Sequence, residues 1–142
     1  MEFSKRQLRF FERAANVAKG SDFDRYHLGC IAVLKNHIVA ASANKLKTHP
    51  QQARFDRFRE FNNIKSDPRN MHSLHAEIAC LNMLRDQDIP YKDLELYIVR
   101  LRRDLDYGLA RPCAACFNYI KSLGVRKIYY TSNGGFVYEE IF

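Results

Sequence analysis

Two short runs in the chain combine metal-binding with proton-carrying side chains: His75-Ala76-Glu77 and Pro112-Cys113-Ala114-Ala115-Cys116. A catalytic zinc takes three protein ligands and keeps a fourth position open, and one histidine with two cysteine thiolates is an established set. Cys113 and Cys116 are three residues apart, so on a helix both sulfurs can face one metal. The unpaired N–H groups and positive dipole end of a helix N-terminus favour thiolate over thiol at such positions. If a helix starting at His75 lies beside the one starting near Cys113, the imidazole completes the set. Glu77, two residues after the histidine, then points near the metal without binding it and can move protons between water and a bound molecule. Plainer readings exist for each residue. A Cys-x-x-Cys pair also suits a redox couple or half of a structural zinc site, although a structural site is normally closed by four protein ligands. The other thiols, Cys30 and Cys80, sit inside apolar runs where a small buried hydrophobe is the simpler role. Glu77 equally fits a first-turn carboxylate favoured by the helix dipole.

The elements that must position these residues can be read from hydrophobic period and punctuation. Leu8, Phe11, Ala15 and Ala18 recur at helical spacing between Ser4, a candidate N-cap, and Gly20, a stop. Two apolar runs over 28–34 and 38–43 are separated by Lys35, Asn36 and His37, which predicts a hairpin. Residues 75–84 read as a helix with Ile78, Leu81 and Leu84 on one face, and 94–101 as a strand rich in Tyr97, Ile98 and Val99. Pro112 suits a first helical position, and the helix continues from Ala114 until Gly124. A strand over 127–131 leads to the turn Asn133-Gly134-Gly135, and the tail 136–142 is an edge strand or a helical stub. This order is α/β, and its strand-helix-strand units predict that part of the sheet is parallel.

Length and composition set the frame. A chain of 142 residues fits one domain, and 46% hydrophobic with 27% charged residues is the globular average, which argues against disorder, collagen-like repeats and coiled coil. No apolar stretch approaches the roughly 20 residues of a membrane helix, so no membrane partner is expected. The first residues, Met1 to Arg13, carry charge throughout and do not resemble a secretory signal. A cytoplasmic or other reducing intracellular compartment is the expectation, with the four cysteines as thiols or metal ligands. Lys and Arg exceed Asp and Glu by 23 to 16, a net charge of +7 that favours anionic partners.

The surplus is concentrated in 45–70, where Lys45, Lys47, Arg54, Arg57, Arg59, Lys65 and Arg69 face only Asp56, Glu60 and Asp67, which amounts to +4 of the +7. Phe55, Phe58 and Phe61 interleave with the arginines there, a mixture that suits stacking on single strands and equally suits a short helix packed on the core. Arg100, Arg102, Arg103 and Arg111 cluster on the approach to Cys113, where some could meet a substrate phosphate.

The pairing of H-x-E with a later P-C-x-x-C is the zinc-deaminase signature. With it the chain resembles the cytidine and deoxycytidylate deaminase superfamily, which also contains tRNA adenosine deaminases and polynucleotide cytosine deaminases. The resemblance covers most of the chain. Leu28-Gly29-Cys30-Ile31-Ala32-Val33 looks like the family's first strand, and Ser42-Ala43-Asn44 sits where the family places a substrate-contacting Asn. Gly124-Val125-Arg126-Lys127-Ile128-Tyr129-Tyr130 is close to the deoxycytidylate branch. The chain departs from that branch at Ser42-Ala43-Asn44-Lys45, where a glycine-flanked Asn is usual, and in the length of its 45–70 segment.

The resemblance implies a cytidine-deaminase-like three-layer α/β/α fold with a central mixed sheet of about five strands, as a single domain over 1–142 with a basic insertion at 45–70. It implies one Zn2+ per chain on His75, Cys113 and Cys116, and Glu77 as the proton carrier in hydrolytic deamination of a cytosine base. Backbone near Ala76 and Cys113 would hold the pyrimidine edge, Asn44 would contact the sugar, and Arg111, Arg102 and Arg103 are candidate phosphate contacts. The expected substrate is a free deoxycytidine nucleotide, dCMP or dCTP. The alternative within the fold is a polynucleotide deaminase acting on tRNA or single-stranded DNA. Assembly into a homo-oligomer is also expected. A second zinc on His49 and His72 is not, since 45–70 contains no cysteine. The reading from another class is a binding module whose metal only holds the fold, and Glu77 speaks against it.

Overall fold

Ser4 starts the first helix because its hydroxyl oxygen accepts the Gln7 backbone N–H at 3.1 Å while the Gln7 side chain accepts the Ser4 N–H at 2.8 Å. Two donors that the helix cannot satisfy internally are thereby paired. This helix, α1 (Lys5–Ala18), buries Phe11, Ala14, Ala15 and Ala18. The computed structural model describes residues 2–22, 26–45, 75–104 and 106–142. The basic segment expected at 45–70 lies outside the described residues from position 46 onward, and with it His49, Phe55, Phe58, Phe61 and, further along, His72.

The expected hairpin is formed by β1 (His27–Leu34) and β2 (His37–Ala43). Its turn is tighter than the three-residue break, because Lys35 and Asn36 both take positive φ, 49° and 68°. Two such residues give the turn whose twist matches the paired strands, so His37 belongs to β2. After α2 (Ala76–Asn82) and a single 3₁₀ turn over Tyr91–Asp93 come β3 (Glu95–Leu101), the two-residue β4 (Tyr107–Gly108), α3 (Ala114–Leu123), β5 (Lys127–Ser132) and β6 (Gly135–Glu140). The tail is thus an edge strand. Gly124 stops α3 as expected, in the left-handed conformation at φ 92°.

The sheet runs β2-β1-β3-β5-β6, with β4 paired to β3 off this path. Among the described strands β3 and β5 are the one parallel pair, joined by α3 as the crossover, and the other pairs are antiparallel. The sheet is therefore mixed and holds one strand, β4, that hydrophobic period did not show, since two residues carry no period. Alternation sorts the central strands between two layers. Ile31, Val33, Tyr97, Val99 and Tyr129 pack with α1. Cys30, Ala32, Leu96, Ile98 and Ile128 pack with Ile78 and Leu81 of α2 and Ile120 of α3. The result is the expected three-layer α/β/α arrangement. Among the described residues no helix is long and apolar enough to cross a membrane.

α1 passes close over Gly29 of β1. A Cβ there would lie 2.3 Å from the Ala14 carbonyl oxygen and 2.5 Å from the Ala18 nitrogen, both backbone atoms of α1. Gly29→Ala should therefore destabilise the fold by about 1–3 kcal/mol or more, the usual cost of overpacking. In Gly20→Ala the added carbon meets its nearest atom at an ordinary 3.4 Å. Denaturant unfolding of the two variants side by side checks this, and equal midpoints would show that α1 does not press on Gly29.

Candidate active site

Both chemistry-bearing runs lie at helix starts on one face of the sheet. His75 is the N-cap of α2 and Cys113 the N-cap of α3, each with extended backbone, ψ 148° and 169°. Pro112 thus stands just before the N-cap and not at the first helical position. The shift matters for the sulfurs: an N-cap side chain reaches back over the third helical residue, and here that residue is Cys116. The His75 Nδ1 lies 3.2 Å from Cys116 Sγ and 3.5 Å from Cys113 Sγ. The three donor atoms are all within 4.8 Å of one another.

Their electrostatics favour a cation. The Cys113 thiol is held down to about 3, first by the hydrogen bond from Cys116 and then by the hydrogen bond and charge of His75, against a cost of desolvation. Burial pushes Cys116 up, so of the two sulfurs Cys113 is the one poised as thiolate. Glu77 is 3% exposed, burial raises its carboxyl above the ordinary range, and its Oε1 has no hydrogen-bond partner. A buried oxygen left unpaired is costly. A one-histidine, two-cysteine donor set with an orphaned carboxylate oxygen next to it fits zinc with one position left for a reactant. His75, Cys113 and Cys116 are positioned to bind one metal ion.

A cavity of roughly 320 Å³ opens onto these residues, lined by His75, Glu77 and Cys113 together with Tyr26, Leu28, Arg100 and Arg111. Ala76 is fully buried beside it in sequence. Arg111 also makes a paired contact with Glu139 at 2.9 and 3.1 Å and lies over the Phe117 ring. Arg102 bonds Asn133 in the β5–β6 turn and Arg103 is exposed; neither lines the cavity.

Asn44 is 3% exposed and its amide is engaged with backbone. Its Oδ1 accepts the Leu28 N–H at 2.9 Å and the Ser21 hydroxyl, and its Nδ2 donates to the Tyr26 carbonyl at 3.3 Å. It therefore fastens the very segment, Tyr26 to Leu28, that forms one cavity wall. Sequence reasoning named Asn44 but passed over Tyr26, Ser21 and Thr131. None of these carried a motif, and only pairing between distant segments reveals them.

The sequence matches the family model for the cytidine and deoxycytidylate deaminase zinc-binding region over residues 4–132. The fold is similar to the dCMP deaminase from cyanophage S-TIM5 in apo form, with TM-score 0.62 and 21% identity, covering 93% of this chain and 86% of that one. The same enzyme in complex with dCMP and dUMP gives TM-score 0.62 and 19% identity over 92% and 83% of the two chains. A structure from a study of tRNA:A34 deaminases, which edit A to I at the wobble position, gives TM-score 0.52 and 25% identity over 91% and 81%. No curated protein matches the sequence significantly.

Purified protein should hold about one zinc per chain, the occupancy of a three-ligand catalytic site, and Cys113→Ser or Cys116→Ser should lose most of it. Elemental analysis checks this. Full zinc in either variant would remove that sulfur from the site.

Proposed function

The chain belongs to the cytidine and deoxycytidylate deaminase family, and from that premise we propose that it hydrolyses the C4 amino group of a free deoxycytidine nucleotide, dCMP or dCTP. The observation that carries this reading is the placement of the unpaired Glu77 Oε1 beside the three-donor cluster in a cavity walled by arginine. The cavity is of mononucleotide scale, near the lower end of the roughly 300–1,000 Å³ found for small-ligand sites. Zinc, when bound, supplies Lewis-acid activation of water at neutral pH.

The chain's own residues do the rest. Glu77 takes a proton from water at Oε1 and delivers it to the ring nitrogen N3. Once the water oxygen has bonded to C4, Glu77 takes the remaining proton of that hydroxyl and passes it to N4, so that the C4–N4 bond breaks, ammonia departs and the C4 carbonyl is left. Backbone groups of Ala76 and Cys113 hold the pyrimidine edge. Asn44, one of whose Nδ2 hydrogens bonds the Tyr26 carbonyl, is the residue placed toward the sugar. Its larger service is to fix the wall from Tyr26 to Leu28. Arg111 adds positive charge already balanced by Glu139, while Arg102 and Arg103 draw an anionic substrate from longer range. The competing reading, a polynucleotide deaminase, has in its favour the likeness to a tRNA:A34 deaminase structure.

Glu77→Gln should keep zinc and fold while lowering turnover by about 10²–10⁴, the typical worth of general acid-base transfer. Near-normal activity in this variant would take Glu77 out of the reaction. Offered separately, cytidine, dCMP, dCTP, a cytosine-containing single strand and tRNA should give fastest ammonia release with dCMP or dCTP. Log affinity for a single strand that is gripped along its backbone falls with log salt by about 0.7 per phosphate contact, and the preferred substrate should lack that steep dependence. Conversion of the oligonucleotide or tRNA with no turnover of either nucleotide would replace this reading with the polynucleotide one.

A further inference from the structure

Four arginines cluster in sequence ahead of Cys113, and the fold separates them. Arg111 spends its charge on Glu139, Arg102 reaches Asn133, and Arg103 is exposed away from the cavity. Arg100 differs from all three. It continues the alternate stripe of Leu96 and Ile98 on β3, so its side chain is on the same face as α2 and α3. In register it lies between Leu28 of β1 and Gly108 of β4. Its guanidinium carbon sits 4.6 Å from the centre of the Tyr26 ring. Its Nε is buried without a hydrogen-bond partner, and it lines the cavity with His75, Glu77 and Cys113. Among the described residues no carboxylate pairs with it.

The surroundings hold this side chain in place. A Cβ at Gly108 would lie 3.1 Å from Arg100 Cδ, so glycine leaves the room that the arginine stem occupies. The buried Thr131 accepts the Arg100 backbone N–H at 3.1 Å and donates its hydroxyl to the Gly108 carbonyl at 2.7 Å, which locks β3 to β4 at this point. A guanidinium stacked on an aromatic ring keeps its planar fork of donors aimed outward. A buried nitrogen with no partner in the protein is a donor waiting for an acceptor.

We infer that Arg100 is the residue that takes the phosphate of the nucleotide, with Tyr26 as the platform that orients it, which makes it the determinant of nucleotide over nucleoside. The inference rests on the deaminase reading above. It commits to the phosphate of a free nucleotide and not to the backbone of a nucleic acid.

The test compares the zinc-loaded wild type with Arg100→Gln and Arg100→Lys on dCMP, deoxycytidine and a cytosine-containing single strand, with zinc content and melting temperature recorded for each. Loss of one charge-assisted contact should raise the KM for dCMP roughly 10- to 100-fold while kcat moves far less. The preference for dCMP over deoxycytidine should collapse by the same factor. Arg100→Lys should fall between, because an ammonium keeps the charge but not the planar fork. Calorimetric titration of dCMP into Glu77→Gln and into the Glu77→Gln, Arg100→Gln double variant should show the same weakening without any turnover. If Arg100→Gln melts early, the lysine variant still decides, alone for kinetics and combined with Glu77→Gln for the titration. Equal losses on dCMP and deoxycytidine would make Arg100 a structural residue and overturn the inference, as would an effect confined to the single strand. A wild type that deaminates none of the three would instead remove the deaminase reading itself.

Discussion

An imidazole, two thiols and a carboxyl set against an apolar core, all but Cys113 buried, are tolerable only if they meet one another and a cation. Each charged form loses several kcal/mol of hydration on leaving water, and the residues around this group offer little in return. Ala76, Ile78, Cys80, Leu81 and Ile120 are all fully buried in the same layer. The hydrogen bond from Cys116 and the charge of His75 hold Cys113 low, while Glu77 keeps an oxygen with no partner. The arrangement is costly as packing and useful as a zinc site, which is why the rest of the fold can be understood as the means of holding it.

Topology supplies that means. β3 and β5 are parallel neighbours, so the chain must cross from one end of the sheet to the other between them, and α3 is that crossover. Its first residues therefore sit beyond the carboxyl end of β3, where ligands gather in open α/β sheets. β1 is antiparallel to β3, which brings its amino end, with Tyr26 just ahead, to the same edge, and Leu28 is paired with Arg100. β2 returns antiparallel to β1 and delivers Asn44 there as well. Cys113, Arg100, Leu28 and Asn44 come from four separate elements and share one end of the sheet because strand direction leaves them no other place.

The parts legible in sequence were those with a local cause. The spacing of His75 to Glu77 and of Cys113 to Cys116 is chemistry written within one helical turn, and the alternation in β1 and β3 is equally local. Ser4 and Gly124 marked helix ends through capping. What escaped depended on segments far apart in the chain. The β4 strand exists because Tyr107 and Gly108 find the end of β3, and Thr131 matters because it bridges Arg100 and Gly108 across three strands. Resemblance alone assigns Asn44 to a sugar. Its bonds to Leu28 and Tyr26 show a structural task that only the folded chain displays.

Charge illustrates the same division between count and place. The excess of +7 invites an anionic partner, yet position decides what each charge can do. Arg6 is bound to Glu95 at 2.6 Å, and with Arg9 and Arg13 it borders a groove beside His37 on the α1 side of the sheet, the face away from the zinc ligands. Arg111 is neutralised by Glu139 at the cavity itself. Of the described arginines, Arg100 is the one that lines the cavity without a carboxylate partner. Among the described residues that leaves one uncompensated cation at the cavity to meet an anionic group. The hold on a long polyanion would instead have to come from charges spread along a path, and such a hold is weakened by salt in proportion to the number of contacts.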